Sequence, residues 1–132
     1  MPDCDRYLVA FGTNDCRRST KEEFDYAMPE FFRRLFSQVT EKPVYVILPI
    51  WKKAEKKVFA YGEDLQAVRD AIAAEVKKYP NAIVINGREL TPTVMAVMAD
   101  GTHPSALGHT HYAMNLAKRI RAYENEREGK NN

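Results

Sequence analysis

An aspartate and a histidine three residues apart are the first candidates for chemistry in this sequence. They lie in Ala99–Gly108, which reads A-D-G-T-H-P-S-A-L-G and contains Asp100 and His103. An imidazole can take a proton from a hydroxyl group, and a neighbouring carboxylate can hold the tautomer that this requires. Pro104 disfavours a helical conformation at His103 and suits the first turn of a helix, so His103 is expected in the loop before one. The spacing therefore predicts a general base with its orienting acid.

A second candidate segment lies near the other end of the sequence. Phe11–Asp15 reads F-G-T-N-D and follows an apolar run typical of a buried strand. An asparagine just beyond the carboxyl end of a parallel strand projects its amide into the crevice where α/β proteins bind ligands. Asn14 is thus a candidate hydrogen-bond donor to an oxyanion, and Asp15 is expected to orient the turn.

Each segment also has a purely structural interpretation. D-G-T-H-P can form a capped turn in which Asp100 accepts hydrogen bonds from the amides of Thr102 or His103. G-T-N-D can form an ordinary Gly/Asn turn. Because the two segments lie roughly ninety residues apart and each follows a predicted strand, their combination favours the catalytic interpretation.

In this order, the two segments resemble the last two signature blocks of the SGNH (GDSL-type) esterases and acylhydrolases, a G-x-N-D block and a D-x-x-H-P block. The resemblance implies a serine hydrolase with His103 as base, Asp100 as its orienter and Asn14 in the oxyanion hole. It also implies that Gly12 lets the turn pass close to its neighbours. The substrate expected from the resemblance is a small acyl or acetyl ester, with carbohydrate esters among the candidates.

The nucleophile of that family is missing from this sequence. The family carries its serine in a Gly-Asp-Ser block on an upstream first strand, and no Gly-Asp-Ser occurs here. None of the three serines, Ser19, Ser37 and Ser105, has the strand-to-turn setting that exposes an activated nucleophile. Two interpretations stay open. The chain is an ester hydrolase whose serine comes from an upstream segment or another chain, or it is a non-catalytic remnant acting as a dimeric binding or structural module.

Composition limits the size of the domain and the kinds of partner. With 132 residues and 45% hydrophobic content, the chain is predicted to form one domain over 1–123, followed by a polar tail over 124–132 that should fray. A net charge of +2 gives no reason to expect binding to nucleic acid or to an anionic membrane. The sequence has neither an apolar signal region nor a membrane-spanning stretch, so we expect a cytoplasmic product.

Metal and cofactor chemistry are not expected either. Cys4 and Cys16 lack C-x-x-C spacing and are interpreted as free thiols. The histidines at 103, 109 and 111 lack the spacing of metal ligands on one face, and His109 is expected on the buried stripe of the last helix. We therefore predict no metal, no cofactor and a small-molecule ester as substrate.

Apolar runs alternate with helical patterns along the chain, as in a parallel sheet covered by helices. The sequence predicts strands buried on both faces at Tyr7–Phe11, Val44–Leu48 and Ala82–Ile85. It predicts helices that begin at Ser19 or Thr20, at Glu63 and at Pro104 or Ser105, the first of them bent or broken at Pro29. The predicted fold is a three-layer, flavodoxin-like α/β domain with a parallel sheet, truncated to about three strands.

The first predicted strand is expected to pair with a strand of another polypeptide. In the complete fold of the resembled family the strand Tyr7–Phe11 is flanked by the missing first strand, and it carries none of the charges or prolines that protect a sheet edge. We therefore expect a homodimer joined edge to edge through Tyr7–Phe11, or a complex with a separate polypeptide that carries the missing part.

Overall fold

The described part of the chain contains a three-stranded parallel sheet and four α-helices. A computed structural model of the protein describes residues 3–131, with side chains described through residue 129. The elements follow in the order β1 (Tyr7–Ala10), α1 (Thr13–Arg18), α2 (Lys21–Gln38), β2 (Val44–Ile47), α3 (Leu65–Val76), β3 (Ala82–Ile85) and α4 (Ala106–Asn131). Short 3-10 turns at Gly87–Glu89 and Met95–Val97 lie between β3 and α4. The predicted α/β class and parallel sheet are confirmed.

The sheet has the order β1-β2-β3, with β2 in the centre. All pairs are parallel and in register, so that Tyr7, Val44 and Ala82 form one row across the sheet. All four residues of β2 are buried, whereas residues along β1 alternate between half-buried and exposed. The prediction that β1 is buried on both faces is therefore wrong, and Leu8 is 49% exposed because β1 is an edge strand of the described sheet.

Helices α2 and α3 share one apolar core with the sheet. Val44 and Val46 of β2 pack in the same cluster as four side chains from each helix, which are Phe24, Met28, Phe32 and Phe36 from α2 and Leu65, Val68, Ile72 and Val76 from α3. These side chains follow the helical repeat of apolar residues, which explains why the sequence predicted the buried face of α3. Tyr45 and Ile47 are buried as well, so both faces of β2 are covered.

Helix α2 begins at a reciprocal cap. Thr20 Oγ1 accepts a hydrogen bond from the Glu23 amide at 3.2 Å, and Glu23 Oε2 accepts one from the Thr20 amide at 2.8 Å. The helix then continues through Pro29 to Gln38 without interruption, so the predicted division into two shorter helices does not occur. Proline removes one backbone donor, and the buried side chains on both sides of Pro29 hold the helix together.

The chain divides into two compact units. The first comprises Met1–Pro49 and Glu55–Asn86, and the second comprises Ile50–Ala54 and Gly87–Asn132. The single domain expected over 1–123 stays a prediction. Among the described residues, no helix combines the length and the apolar character needed to cross a membrane.

The second unit is built around α4. Ser105 Oγ accepts a hydrogen bond from the Gly108 amide at 3.2 Å, as expected for the residue that opens the helix. The helix extends past Tyr123 to Asn131, since Glu, Arg and Lys are good helix formers and propagation of a helix costs little. Fraying of 124–132 stays a prediction. His109 is exposed, so its expected burial is wrong.

Gly108 allows α4 to pack against the 3-10 turn at Met95–Val97. A β-carbon on Gly108 would overlap the Val97 carbonyl oxygen and approach Pro104 Cβ to 3.1 Å. Because the Val97 oxygen belongs to the backbone, a Gly108→Ala substitution must move the helix away from the turn. We expect a loss of about 1–3 kcal/mol in the free energy of unfolding, measured by urea denaturation.

The matched control is Gly129→Ala in the same helix. A β-carbon at Gly129 meets no atom within 4 Å, so this change should leave stability unchanged or raise it by up to about 1 kcal/mol through helix propensity. Equal stability of the two variants would contradict the close packing at Gly108.

Candidate active site

Asp100 and His103 are in direct contact. Asp100 Oδ2 lies 2.7 Å from Nδ1 of the His103 ring. In the neutral tautomer with a proton on Nδ1, the ring donates this hydrogen bond and keeps a lone pair on Nε2. The structure thus brings together the two residues that the sequence predicted as base and orienter, in the geometry that a general base requires.

The second oxygen of the same carboxylate caps the turn. Asp100 Oδ1 accepts hydrogen bonds from the backbone amides of Thr102 at 3.0 Å and His103 at 2.7 Å. The turn interpretation of D-G-T-H-P and the pairing of Asp100 with the imidazole are therefore both realised by one side chain. The hydrogen bonds of these two oxygens fix the orientation of the His103 side chain relative to the backbone.

Backbone hydrogen bonds hold the rest of this loop. The Ala99 amide donates to the His103 carbonyl at 2.7 Å, and the Lys53 amide donates to the Gly101 carbonyl at 2.9 Å. Met98 and Pro104 form an isolated antiparallel bridge, so the loop is closed at its base. Asp100 and His103 thus lie on a loop tied to its neighbours in the second unit.

The pair is open to solvent. The His103 side chain is 73% exposed and the Asp100 side chain is 57% exposed. The hydrogen bonds from the His103 amide, the His103 imidazole and the Thr102 amide hold the pKa of the Asp100 carboxyl well below its usual range. Asp100 therefore stays a carboxylate wherever an ordinary aspartate is ionised.

The serine closest in sequence to this pair is engaged in structure. Ser105 Oγ donates to the Ala96 carbonyl at 2.8 Å in addition to capping α4. Ser37 donates to the Arg34 carbonyl within α2 at 2.7 Å. Cys16 is 1% exposed and directs its thiol toward the Glu63 carbonyl at 3.9 Å. None of these three groups has the exposed setting of an activated nucleophile.

The G-T-N-D segment forms the start of α1 in the first unit. Gly12 precedes the helix with φ +121°, and a β-carbon there would lie 3.0 Å from Pro49 Cγ and 3.2 Å from side chains of α3. Both the backbone conformation and the close approach require glycine at this position. Asn14 and Asp15 then fall in the first turn of α1, where Asn14 is exposed.

A buried arginine that the sequence analysis missed supports this turn. Arg69 is 1% exposed, and its Nε donates to the Pro49 carbonyl at 2.8 Å. Its terminal nitrogen pairs with Glu55 at 2.9 Å, also in a buried setting. Because Pro49 lies against Gly12, the hydrogen bond from Arg69 to the Pro49 carbonyl holds in place the residue against which the turn packs. In the sequence, the burial of Arg69 was indicated only by its position next to Val68, a residue on the apolar stripe of α3.

The two candidate segments belong to different units. Gly12, Asn14 and Asp15 are in the first, and Asp100 and His103 are in the second. Among the described residues, no group of three or more His, Cys, Asp or Glu side chains is arranged to hold a metal ion.

The depressed pKa of Asp100 predicts how its carboxyl should titrate. Its stabilising contribution is present above the unfolded pKa of about 3.9 and is lost as the pH falls through the lower, folded pKa. Carbon-13 NMR of the Asp100 carboxyl should give a midpoint below that of the same residue in urea. In His103→Ala the midpoint should rise, yet stay below the unfolded one because two backbone amides still donate. Identical midpoints in folded and unfolded chains would contradict the observed hydrogen bonds.

Comparisons with known proteins show which solved structures share this fold. No protein-family model matches the chain, and no curated protein matches it. Solved structures do match. A Bacteroides ovatus protein described as a GDSL-like lipase is 20% identical with a TM-score of 0.69, over 89% of this chain and 35% of its own. A lipase/acylhydrolase from Enterococcus faecalis is 17% identical with a TM-score of 0.68, over 90% of this chain and 62% of its own.

A peptidoglycan O-acetylesterase shares the fold as well. It is 13% identical with a TM-score of 0.70, over 91% of this chain and 38% of its own. The chain thus spans between about a third and two thirds of the length of these three structures. At this level of identity the likeness shows the fold alone, which this chain shares with proteins described as a GDSL-like lipase, a lipase/acylhydrolase and a peptidoglycan O-acetylesterase.

Proposed function

We propose that this chain provides the general base and an oxyanion donor of an SGNH-type ester hydrolase. The observation that carries the proposal is the 2.7 Å contact between Asp100 Oδ2 and His103 Nδ1. A carboxylate in this position stabilises the tautomer whose Nε2 accepts a proton, and it stabilises the imidazolium that follows. The His103 ring is accessible to a substrate because most of its surface is exposed.

The reaction requires a serine hydroxyl from a segment outside the printed sequence or from another chain. In the proposed first step the hydroxyl oxygen attacks the ester carbonyl while its proton passes to Nε2 of His103. The imidazolium then protonates the leaving alcohol, and water releases the acyl group by the same route. By the resemblance to the SGNH hydrolases, Asn14 is proposed to donate its side-chain amide to the oxyanion; it is exposed, and its side chain makes no hydrogen bond to another described residue.

The proposed substrates are small acyl or acetyl esters, including those on carbohydrates. A protein of the same fold that acts as a peptidoglycan O-acetylesterase supports this class. A second candidate function is that of a non-catalytic binding or structural module. The engaged hydroxyl of Ser105 and the buried thiol of Cys16 favour this alternative.

The role of His103 can be tested with methanol in place of the serine. The purified chain should accelerate methanol-dependent release of p-nitrophenolate from p-nitrophenyl acetate. Loss of a general base usually lowers such a rate about 10²–10⁴-fold, so His103→Ala should abolish most of the acceleration. Asp100→Asn should lower it by impairing the tautomer, and Asn14→Ala should lower it by removing an oxyanion donor.

His109→Ala is the matched control, because His109 is also an exposed histidine and lies in the same unit. It should leave the rate unchanged, which separates catalysis by His103 from the general reactivity of surface imidazoles. Equal rates for the wild type and His103→Ala would contradict the hydrolase proposal and favour the non-catalytic module.

We further propose that β1 pairs with a second copy of the chain. Its outer edge has no strand partner among the described residues, and Leu8 exposes an apolar side chain on one face of this edge strand. Light scattering after gel filtration should give a dimer mass. Leu8→Lys should shift the mass to that of a monomer, since a charge on an edge strand opposes pairing.

Met114→Lys is the control for this test, because Met114 is an exposed apolar residue of α4. It should leave the dimer intact. A monomeric wild type, or a dimer that survives Leu8→Lys, would refute edge pairing through β1 and leave a complementing polypeptide as the candidate partner.

A further inference from the structure

An apolar cavity in the first unit adjoins the G-T-N-D turn. Its volume is about 340 Å³, and it lies between the residues that follow β1 and one face of α2. The cavity is lined by Phe11, Asp15, Phe24, Ala27, Met28 and Phe31. The proposed reaction assigns it no role. Phe31 is 45% exposed, so the cavity is accessible from solvent.

Three phenylalanine rings form walls in different directions. The rings of Phe11 and Phe31 meet edge to face, with centroids 5.5 Å apart and an interplanar angle of 78°. Phe24 is tilted by 57° to Phe11 at a centroid separation of 6.3 Å. Contacts of this kind hold the rings in place, so the cavity is formed before any ligand arrives.

The sixth lining residue introduces a negative charge. Asp15 is half-buried, and its carboxylate has no hydrogen-bond or ion-pair partner among the described residues. Arg17 and Arg18 follow it in α1, and both are exposed and form no ion pair with it. A carboxylate beside an apolar cavity repels an anionic ligand and attracts a cation.

We propose that this cavity binds an alkylated ammonium group, such as a trimethylammonium head group. Such a group carries a positive charge on an apolar surface, which suits both the aromatic walls and the carboxylate. Aromatic faces attract cations through their quadrupole, and cages of aromatic residues recognise quaternary ammonium ligands. A plain acyl chain would fit the apolar walls, yet it would gain nothing from Asp15.

The size of the cavity agrees with this ligand. A buried apolar cavity of about 150 Å³ is known to hold benzene, so 340 Å³ leaves room for a trimethylammonium group and a short chain attached to it. The inference concerns binding alone and does not depend on hydrolysis by His103.

The test compares choline with 3,3-dimethyl-1-butanol, which has nearly the same shape and no charge. Binding is followed by NMR titration of the nitrogen-15-labelled chain, with resonances of residues in α1 and α2 as the readout. Choline should bind and perturb resonances around the cavity. The neutral alcohol should bind about tenfold more weakly, because it lacks the attraction to the rings and the carboxylate.

Two variants separate the contributions of the carboxylate and of an aromatic ring to choline binding, and a third serves as the control. Asp15→Asn keeps the shape of the side chain and removes its charge, so it should weaken choline binding severalfold and leave binding of the alcohol unchanged. Phe31→Leu removes one ring and should also weaken choline binding. Asp70→Asn removes an equal charge from the exposed face of α3 and should have no effect on either ligand.

Equal affinities for the two ligands, unaffected by Asp15→Asn, would overturn the proposal and indicate an uncharged apolar pocket. Absence of perturbations by choline at α1 and α2 would also overturn it. Because no step of this experiment uses an ester, its failure is distinguishable from failure of the hydrolase proposal.

Discussion

Parallel pairing of β2 with a strand on each side is the constraint on which the first unit depends. All four residues of β2 are buried, so both faces must be covered and each connection must cross the sheet. The pairing also aligns the carboxyl ends of β1 and β2, where Gly12 meets Pro49. Arg69 binds the Pro49 carbonyl and pairs with Glu55 in a buried setting. Removal of one partner from such a pair leaves a buried charge, which typically costs about 3–5 kcal/mol.

In the second unit, a single carboxylate performs two tasks. Asp100 caps a turn with one oxygen and contacts the imidazole of His103 with the other. A capped turn was the structural alternative to a catalytic pair, and the geometry shows that the two are compatible. The cap explains how an exposed loop can hold an imidazole in one orientation without burying it. Asp100 therefore stabilises the local structure of the loop as well as contacting the imidazole.

The sequence located the strands within one residue and identified the buried face of α3, because continuous apolar runs and helical spacing are local patterns. Predictions from the sequence were wrong where the burial of a side chain depends on which other element packs against it. Leu8 and His109 were expected to be buried and are exposed. Of the bend or break expected at Pro29, the break does not occur, because apolar contacts on both sides keep α2 continuous. The roles of Asn14, Asp100 and His103 in catalysis stay predictions.

The sequence by itself determined the α/β class, the alternation of the three strands with α2, α3 and α4, and the two segments that follow β1 and precede α4, whereas it missed the short helix α1 (Thr13–Arg18). These features depend on periodicity and turn chemistry, which act between residues close along the chain. Only the tertiary structure decided that Gly12 has no space for a side chain, that Arg69 is buried beneath its turn, and that three phenylalanines and Asp15 enclose a cavity. Those features arise where separate elements meet in space, and no local pattern in the sequence reports the distance between them.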